Sequence, residues 1–258
     1  MDFPDFSHFA ALLADPRFYA VLAVAILSGV LRGFSGFGSA LIYMPLVSAI
    51  YDPKIAAASF ILVDFFCTAP FAFRLYPMVD KREIWPLTIA AALTIPLGAM
   101  LLLYLDPVVL RWALVILILT QLAVLVSGWR FPGKPTTPLT VVVGLLSGIS
   151  GGAAQLMGPF AIIYWLGSPN AAAVVRANLM VFFAFGGLVI VLAYVVQGLF
   201  TPEVFALALL VAPPYMLTLF AGARLFRASS ESFYRQSAYV IIAVSALVSL
   251  PLFDGLFR

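Results

Sequence analysis

Long apolar runs alternate with short polar breaks along the whole chain. The runs cover approximately 18–51, 55–75, 84–105, 108–128, 138–167, 171–197, 203–223 and 236–253. The breaks are Asp52-Pro53-Lys54, Asp80-Lys81-Arg82-Glu83, Arg130 to Pro138 and Arg224 to Gln236. Most runs have roughly the 20 residues that a helix rising about 1.5 Å per residue needs to cross a hydrocarbon core about 30 Å thick. Two runs are too long for one crossing. As straight helices, 18–51 and 138–167 would reach about 50 and about 45 Å. Both hold a glycine cluster near the middle, so each is expected to be a hairpin of two short helices joined by a tight turn. The arms of the first, 18–35 and 37–51, fall short of a full span, which favours a re-entrant hairpin over a double crossing. The pattern predicts an all-α polytopic membrane protein.

Composition agrees. Hydrophobic residues make up 64% of the chain and charged residues 10%, against about 45–50% and about 25% in a soluble domain. The basic residues are scattered between the runs, with no basic stretch to hold nucleic acid. The lone cysteine, Cys67, and the lone histidine, His8, leave no internal disulfide, no Cys-based metal site and no His-based catalysis. There is no HExxH, no P-loop and no pair of carboxylates on an apolar helix, so no enzyme, metal or cofactor is expected. Residues 1–17 are acidic rather than basic, unlike a signal peptide. Phe3, Phe6, Phe9 and Leu13 suit one apolar face of a short interfacial helix.

The two halves of the chain match each other. The first reads Gly29-Val-Leu-Arg-Gly33-Phe-Ser-Gly36-Phe-Gly38 with Pro45 beyond it; the second reads Gly144-Leu-Leu-Ser-Gly148-Ile-Ser-Gly151-Gly152 with Pro159 beyond it. Asp52-Pro53 aligns with Ser168-Pro169, Phe65-Phe66 with Phe182-Phe183, Gly98-Ala99 with Gly222-Ala223, and Arg111 with Arg235. Ordered matches over so long a stretch indicate an internal duplication. The expected organisation is an interfacial segment (1–17), a first repeat (18–129), a linker (130–137) and a second repeat (138–258). Each repeat has a glycine-turn hairpin of short helices followed by three transmembrane helices.

Charge then sets the topology. If each long run returns to its starting side, Arg74, Lys81, Arg82, Arg130, Lys134, Arg176, Arg224, Arg227 and Arg235 share one side, opposite Arg17, Lys54, Arg111 and Arg258. That asymmetry is what cytoplasmic loops carry. If each run crossed once, the charges would divide evenly. The hairpin arrangement puts both termini in the periplasm of a bacterial inner membrane and inverts the second repeat relative to the first. Inverted repeats place a substrate site near the midplane, where broken helices meet.

The candidate site follows from this. Glycine turns at membrane depth must be buried or line a wet cavity, and a helix starting after such a turn aims unsatisfied N–H groups at the tip. Gly36, Gly38, Gly151 and Gly152 are therefore candidate anion-binding backbone. Three ionisable residues interrupt the apolar runs: Arg32, Asp64 and Arg176. Arg32 and Arg176 are candidate substrate ligands, because a guanidinium fork matches an oxyanion bidentately; the alternative is an Arg32–Asp64 ion pair and an Arg176 that snorkels. Asp64, near mid-depth, is the candidate proton-coupling group. Ser35, Ser150, Gln155 and Asn178 are the supplementary donors, or else partners for neighbouring helices. Trp85, Trp112, Trp129 and Trp165 fall near segment ends, where indole rings settle at the headgroups.

The segments GVLRGFSGFGSALIYMP, GLLSGISGGAAQLMGP and VVRANLMVFF resemble the sulfite exporter TauE/SafE family, also called the toluene sulfonate uptake permease family. The likeness spans about residues 18–253. It implies secondary transport of sulfite, a sulfonate or another small organosulfur anion, coupled to an ion gradient such as protons. It fixes neither substrate nor direction. The second motif has Ala153-Ala154 where the first has Gly38-Ser39, so equivalent half-sites are not expected. The partners implied are a small anion and the lipid bilayer; the sequence does not set the oligomeric state. The rival readings are a passive anion channel and a non-transporting membrane subunit of a complex.

Overall fold

The computed structural model describes residues 3–35, 38–127, 136–166, 170–225, 240 and 242–253. The elements are α1 (Phe6–Ala14), α2 (Pro16–Ser35), α3 (Ser39–Ile50), α4 (Pro53–Leu75), α5 (Lys81–Tyr104), α6 (Pro107–Ser127), α7 (Thr137–Ala154), α8 (Gly158–Leu166), α9 (Ala172–Val196) and α10 (Pro202–Leu225), with helical backbone again at 242–248. No strand occurs among the described residues. Seven helices (α2, α4, α5, α6, α7, α9 and α10) are long and apolar enough to cross a membrane. The protein is a multi-pass membrane protein. Prolines open several of these helices, at Pro16, Pro53, Pro107 and Pro202, where the missing N–H leaves no rung unfilled.

The chain divides into two compact units. One comprises Met1–Val63, Leu105–Leu122 and Gly198–Arg258; the other comprises Asp64–Tyr104 and Ala123–Gln197. These units are not the two sequence repeats. Each takes its hairpin from one repeat and the helix it packs against from the other.

In the first unit, α2 buries Phe18, Val21, Val24, Ala25, Ser28, Leu31 and Arg32, a stripe at three- and four-residue spacing. α2 lies parallel to α10 at very close range. A Cβ on Gly29 would run into the Tyr215 carbonyl and Thr218 Oγ1, and one on Gly33 into the Leu219 carbonyl and the Ala223 amide. After Gly38, which sits at φ 90°, α3 returns toward the start of α2. The Tyr51 hydroxyl donates to Asp15 Oδ2 at 3.4 Å, and the Arg17 guanidinium lies 5.0 Å from the Tyr51 ring centre. The first hairpin thus comes back to its own starting level. Ahead of it, α1 is capped by Asp5. It has no buried residue, Phe6 is exposed, and Phe3 packs on Phe205 at 6.0 Å.

The second unit repeats the scheme. α7 lies along α5 on a seam of small residues: Gly144 faces Leu87 and Ala90, Gly148 faces Ala91 and Thr94, and Gly152 faces Ile95 and Ala99. Such seams let helix backbones approach in lipid. The hairpin turns at Gln155, and α8 runs back until the Tyr164 hydroxyl meets Thr140 Oγ1 at 2.7 Å.

The return arms are short, 12 residues in α3 and 9 in α8, while the outgoing arms have 20 and 18. The expectation for the first hairpin was arms at 18–35 and 37–51, the second of them longer than α3. The difference is physical: the outgoing arms are helical to the glycine turn because the small-residue seam packs along a full-length neighbour.

The structure also corrects the register between the repeats. Helix ends and starts correspond at one constant shift of 119 residues: Ser35 to Ala154, Ser39 to Gly158, Pro53 to Ala172. At that shift Gly29 equals Gly148 and Gly33 equals Gly152. Their neighbours correspond too, Tyr215 and Thr218 to Ala91 and Thr94, and Leu219 and Ala223 to Ile95 and Ala99, all at a shift of 124. The alignment of glycine clusters, which set Gly29 against Gly144, is off by one helical turn.

Candidate functional site

The second glycine turn is described in full. α7 ends with Gln155 in the left-handed region at φ 59°, its N–H bonded to the Gly151 carbonyl at 2.8 Å and that of Leu156 to the Ser150 carbonyl at 3.2 Å. This is a left-handed helix stop of the αL type, with glutamine where glycine is usual. The Gln155 side chain donates through Nε2 to the Tyr194 hydroxyl at 3.1 Å, and that hydroxyl donates to the Gly152 carbonyl at 2.7 Å. Gln155 and Tyr194 together tie the turn to α9. Ser150 Oγ bonds the Leu146 carbonyl at 2.9 Å and the Leu156 carbonyl at 2.8 Å. Gly151 leaves room for Met157, and Gly152 for the α5 backbone.

The first turn carries Gly38 at the start of α3. The side chain of Ser35 and all of Gly36 lie outside the described residues. Arg32 is buried, 8% exposed, one residue before Gly33. Asp64 is half-buried and is the central residue of α4. Arg32 belongs to the first unit, and Asp64 opens the second.

Within the second unit the sequence candidates separate. Asn178 is fully buried, and its Oδ1 accepts the Asp80 N–H at 2.9 Å, next to the first residue of α5. Gly152 meets α5 at Ile95 and Ala99. At about 1.5 Å per residue the two positions lie roughly 22–28 Å apart along α5. Asn178 therefore does not join the glycine turn of its own unit, and Arg176, exposed and two residues away, lies toward the same end.

That end holds residues that sequence reading passed over. Glu83 Oε2 accepts from Trp165 Nε1 and from Asn170 Nδ2, both at 3.0 Å. Trp165 is completely buried, so it is not a headgroup anchor: its indole N–H has a carboxylate partner inside the protein. Trp112 remains exposed and Trp85 half-buried, while Trp129 lies outside the described residues. Arg111, counted among the loop charges, is 4% exposed and donates from Nη2 to the Ser249 carbonyl at 2.8 Å. A glutamate in the first turn of an apolar helix and a tryptophan near a helix end were the available signals, but each alone reads as an interfacial residue.

A 260 Å³ cavity in the second unit is lined by Phe65, Ala69, Phe73, Tyr76, Phe185, Leu188 and other apolar residues. With no charge in its lining it is not an anion site. Among the described residues no cluster of His, Cys, Asp or Glu could hold a metal ion.

A model of the sulfite exporter TauE/SafE family matches residues 21–249, nearly the whole chain. The chain belongs to the sulfite exporter TauE/SafE family. No curated protein and no solved structure matches it. For this TauE/SafE protein the match and the seven span-length helices agree on a membrane transporter. The match begins inside α2, after α1, and takes in both glycine hairpins.

Proposed function

We propose that this protein is a secondary transporter of a small sulfur oxyanion, sulfite or a sulfonate, across a bacterial inner membrane, with both termini periplasmic and the two repeats inverted. The observation that carries the reading is the pair of broken-helix hairpins, matched at a constant 119-residue shift, each returning to its starting level. Repeats of broken helices are how secondary transporters assemble a site in the membrane. Arg32, buried within the first hairpin, supplies the fixed positive charge. Asp64, at the centre of α4, is the group through which protons would couple to it. The test is counterflow in proteoliposomes: unlabelled sulfite inside should drive uptake of labelled sulfite, which a passive channel does not do. Asp64→Asn should keep that exchange and lose accumulation driven by a pH gradient. Flux without counterflow would decide for a channel. Undiminished gradient-driven accumulation by Asp64→Asn would remove protons from this residue.

A further inference from the structure

The helix ends of the first unit enclose a cavity of about 400 Å³, within the range of about 300–1,000 Å³ that small-molecule sites occupy. Arg17 and Glu203, the second residues of α2 and α10, line it beside Asp15 and Tyr51. Leu12, Ile55 and Leu207 supply its apolar wall. All of these residues belong to the first unit. Arg32 is far from it, 15 residues along α2 from Arg17, which is about 22 Å.

Two of the charges in the wall are spent on each other. Arg17 donates from Nε and Nη2 to Asp15 Oδ2, at 3.0 and 2.9 Å. The Tyr51 hydroxyl donates to the same oxygen at 3.4 Å. The guanidinium holds the Asp15 carboxyl below its usual range, so the pair stays ionised. Two groups are left over. Arg17 Nη1 and the exposed Glu203 carboxylate have no partner among the described residues, while the His8 ring is bonded to Asp5 at 2.6 Å. A plain anion here would meet Glu203, and a plain cation would meet Arg17. A ligand carrying both charges finds a charge-assisted partner for each.

Depth says where such a ligand comes from. The cavity is lined from the first two turns of α2, α4 and α10, all of span length. It therefore sits at the ends of the spans, where hydrocarbon gives way to headgroups. α1 supplies Leu12 to the wall while Phe6 and Leu13 are exposed. Exposed apolar side chains at that level have lipid as their solvent. The amine can be narrowed too. A quaternary ammonium would seek the Tyr51 ring, but the Arg17 guanidinium already lies 5.0 Å from its centre. A primary ammonium can instead donate N–H groups to the Glu203 carboxylate.

We propose that this cavity seats the headgroup of phosphatidylethanolamine, with its ammonium on Glu203, its phosphate on Arg17, and the start of its chains against Leu12, Ile55 and Leu207. The site is separate from the transport reading, and either can fail without the other. Native mass spectrometry tests it on the full-length protein, given equal amounts of phosphatidylethanolamine, phosphatidylcholine and phosphatidylglycerol with the same chains. The parent should retain phosphatidylethanolamine about tenfold or more over phosphatidylcholine, the difference expected for a hydrogen bond between charged groups. Glu203→Gln should remove that preference and leave the melting temperature without added lipid level, because it alters only an exposed carboxylate. Glu203→Asp should keep the preference in part. No preference in the parent, or one that survives Glu203→Gln, overturns the assignment. So does a preference lost only together with a fall in that melting temperature. Soluble glycerophosphoethanolamine that raises the parent's melting temperature as far as the lipid does overturns a lipid occupant, since the chains would then contribute nothing.

Discussion

At the scale of single residues, buried polar groups distinguish packing from function. Arg32 is predicted to be the charge the anion meets. Arg32→Ala should abolish sulfite binding while the protein still purifies as a folded species. Lys should restore it only in part, since a point charge lacks the two-pronged donor geometry. Unfolding of Arg32→Ala, rescued by also removing Asp64, would make the residue structural; binding calorimetry beside a melting curve separates the outcomes. The sequence showed Arg32 because a charge inside an apolar run stands out. It did not show which buried hydroxyls, Ser28, Ser48, Thr88 and Ser147 among them, would find no partner, because a serine in a membrane helix ordinarily bonds its own backbone, as Ser150 does. Which hydroxyl is left without a partner depends on the neighbouring helix. Trp165 was misplaced for a related reason. Its position near a helix end suits a headgroup anchor, and only the fold brings Glu83 within 3.0 Å of its indole nitrogen.

At the scale of elements, the glycines do different work in different places. Gly38 sits at φ 90°, a conformation that disfavours a side chain, whereas Gly33 and Gly152 lie within helices where α10 and α5 leave no room for a Cβ. Gly33→Ala and Gly152→Ala should therefore behave alike. Each overpacks a helix contact and is expected to destabilise by about 1–3 kcal/mol, read as a lower melting temperature in detergent. A clear loss at one and none at the other would break their equivalence. The glycine clusters were legible as hairpins, but their register was not. Gly29 to Gly33 and Gly144 to Gly148 have the same four-residue spacing, and a seam of small residues four apart matches itself when slid by one turn. Contacts with the partner helix remove that ambiguity. α1 was legible from its apolar face, and its cap adds detail: hydrogen bonds from Ser7 and His8 hold the Asp5 carboxyl down at about 2. The cap is thus complete above the usual aspartate range and is lost only as pH falls through about 2.

At the scale of the whole chain, the repeats are interleaved rather than set side by side. The α2–α3 hairpin packs on α10, from the second repeat, and the α7–α8 hairpin packs on α5, from the first. Neither repeat keeps its hairpin partner within itself, so neither is expected to fold alone, and boundaries drawn at the linker divide the sequence without dividing the packing. The topology is a separate matter, carried by charge. Tyr51 beside Arg17, and Tyr164 beside Thr140, supply the two returns that the charge argument needs. With both hairpins returning, three crossings by the long helices after the first one would reverse the sidedness of the second. Cysteines introduced one at a time in a Cys67→Ala background test this directly. At Asp80 or Lys134 they should react only with a reagent supplied from the cytoplasm, and at Lys54 or Asp106 only with one supplied from outside. The pair that matters is Lys54 and Lys134, because one follows the first hairpin and the other precedes the second. Opposite labelling places the two hairpins on opposite sides, as inverted repeats require. Labelling from the same side would make the repeats parallel and remove the inverted arrangement.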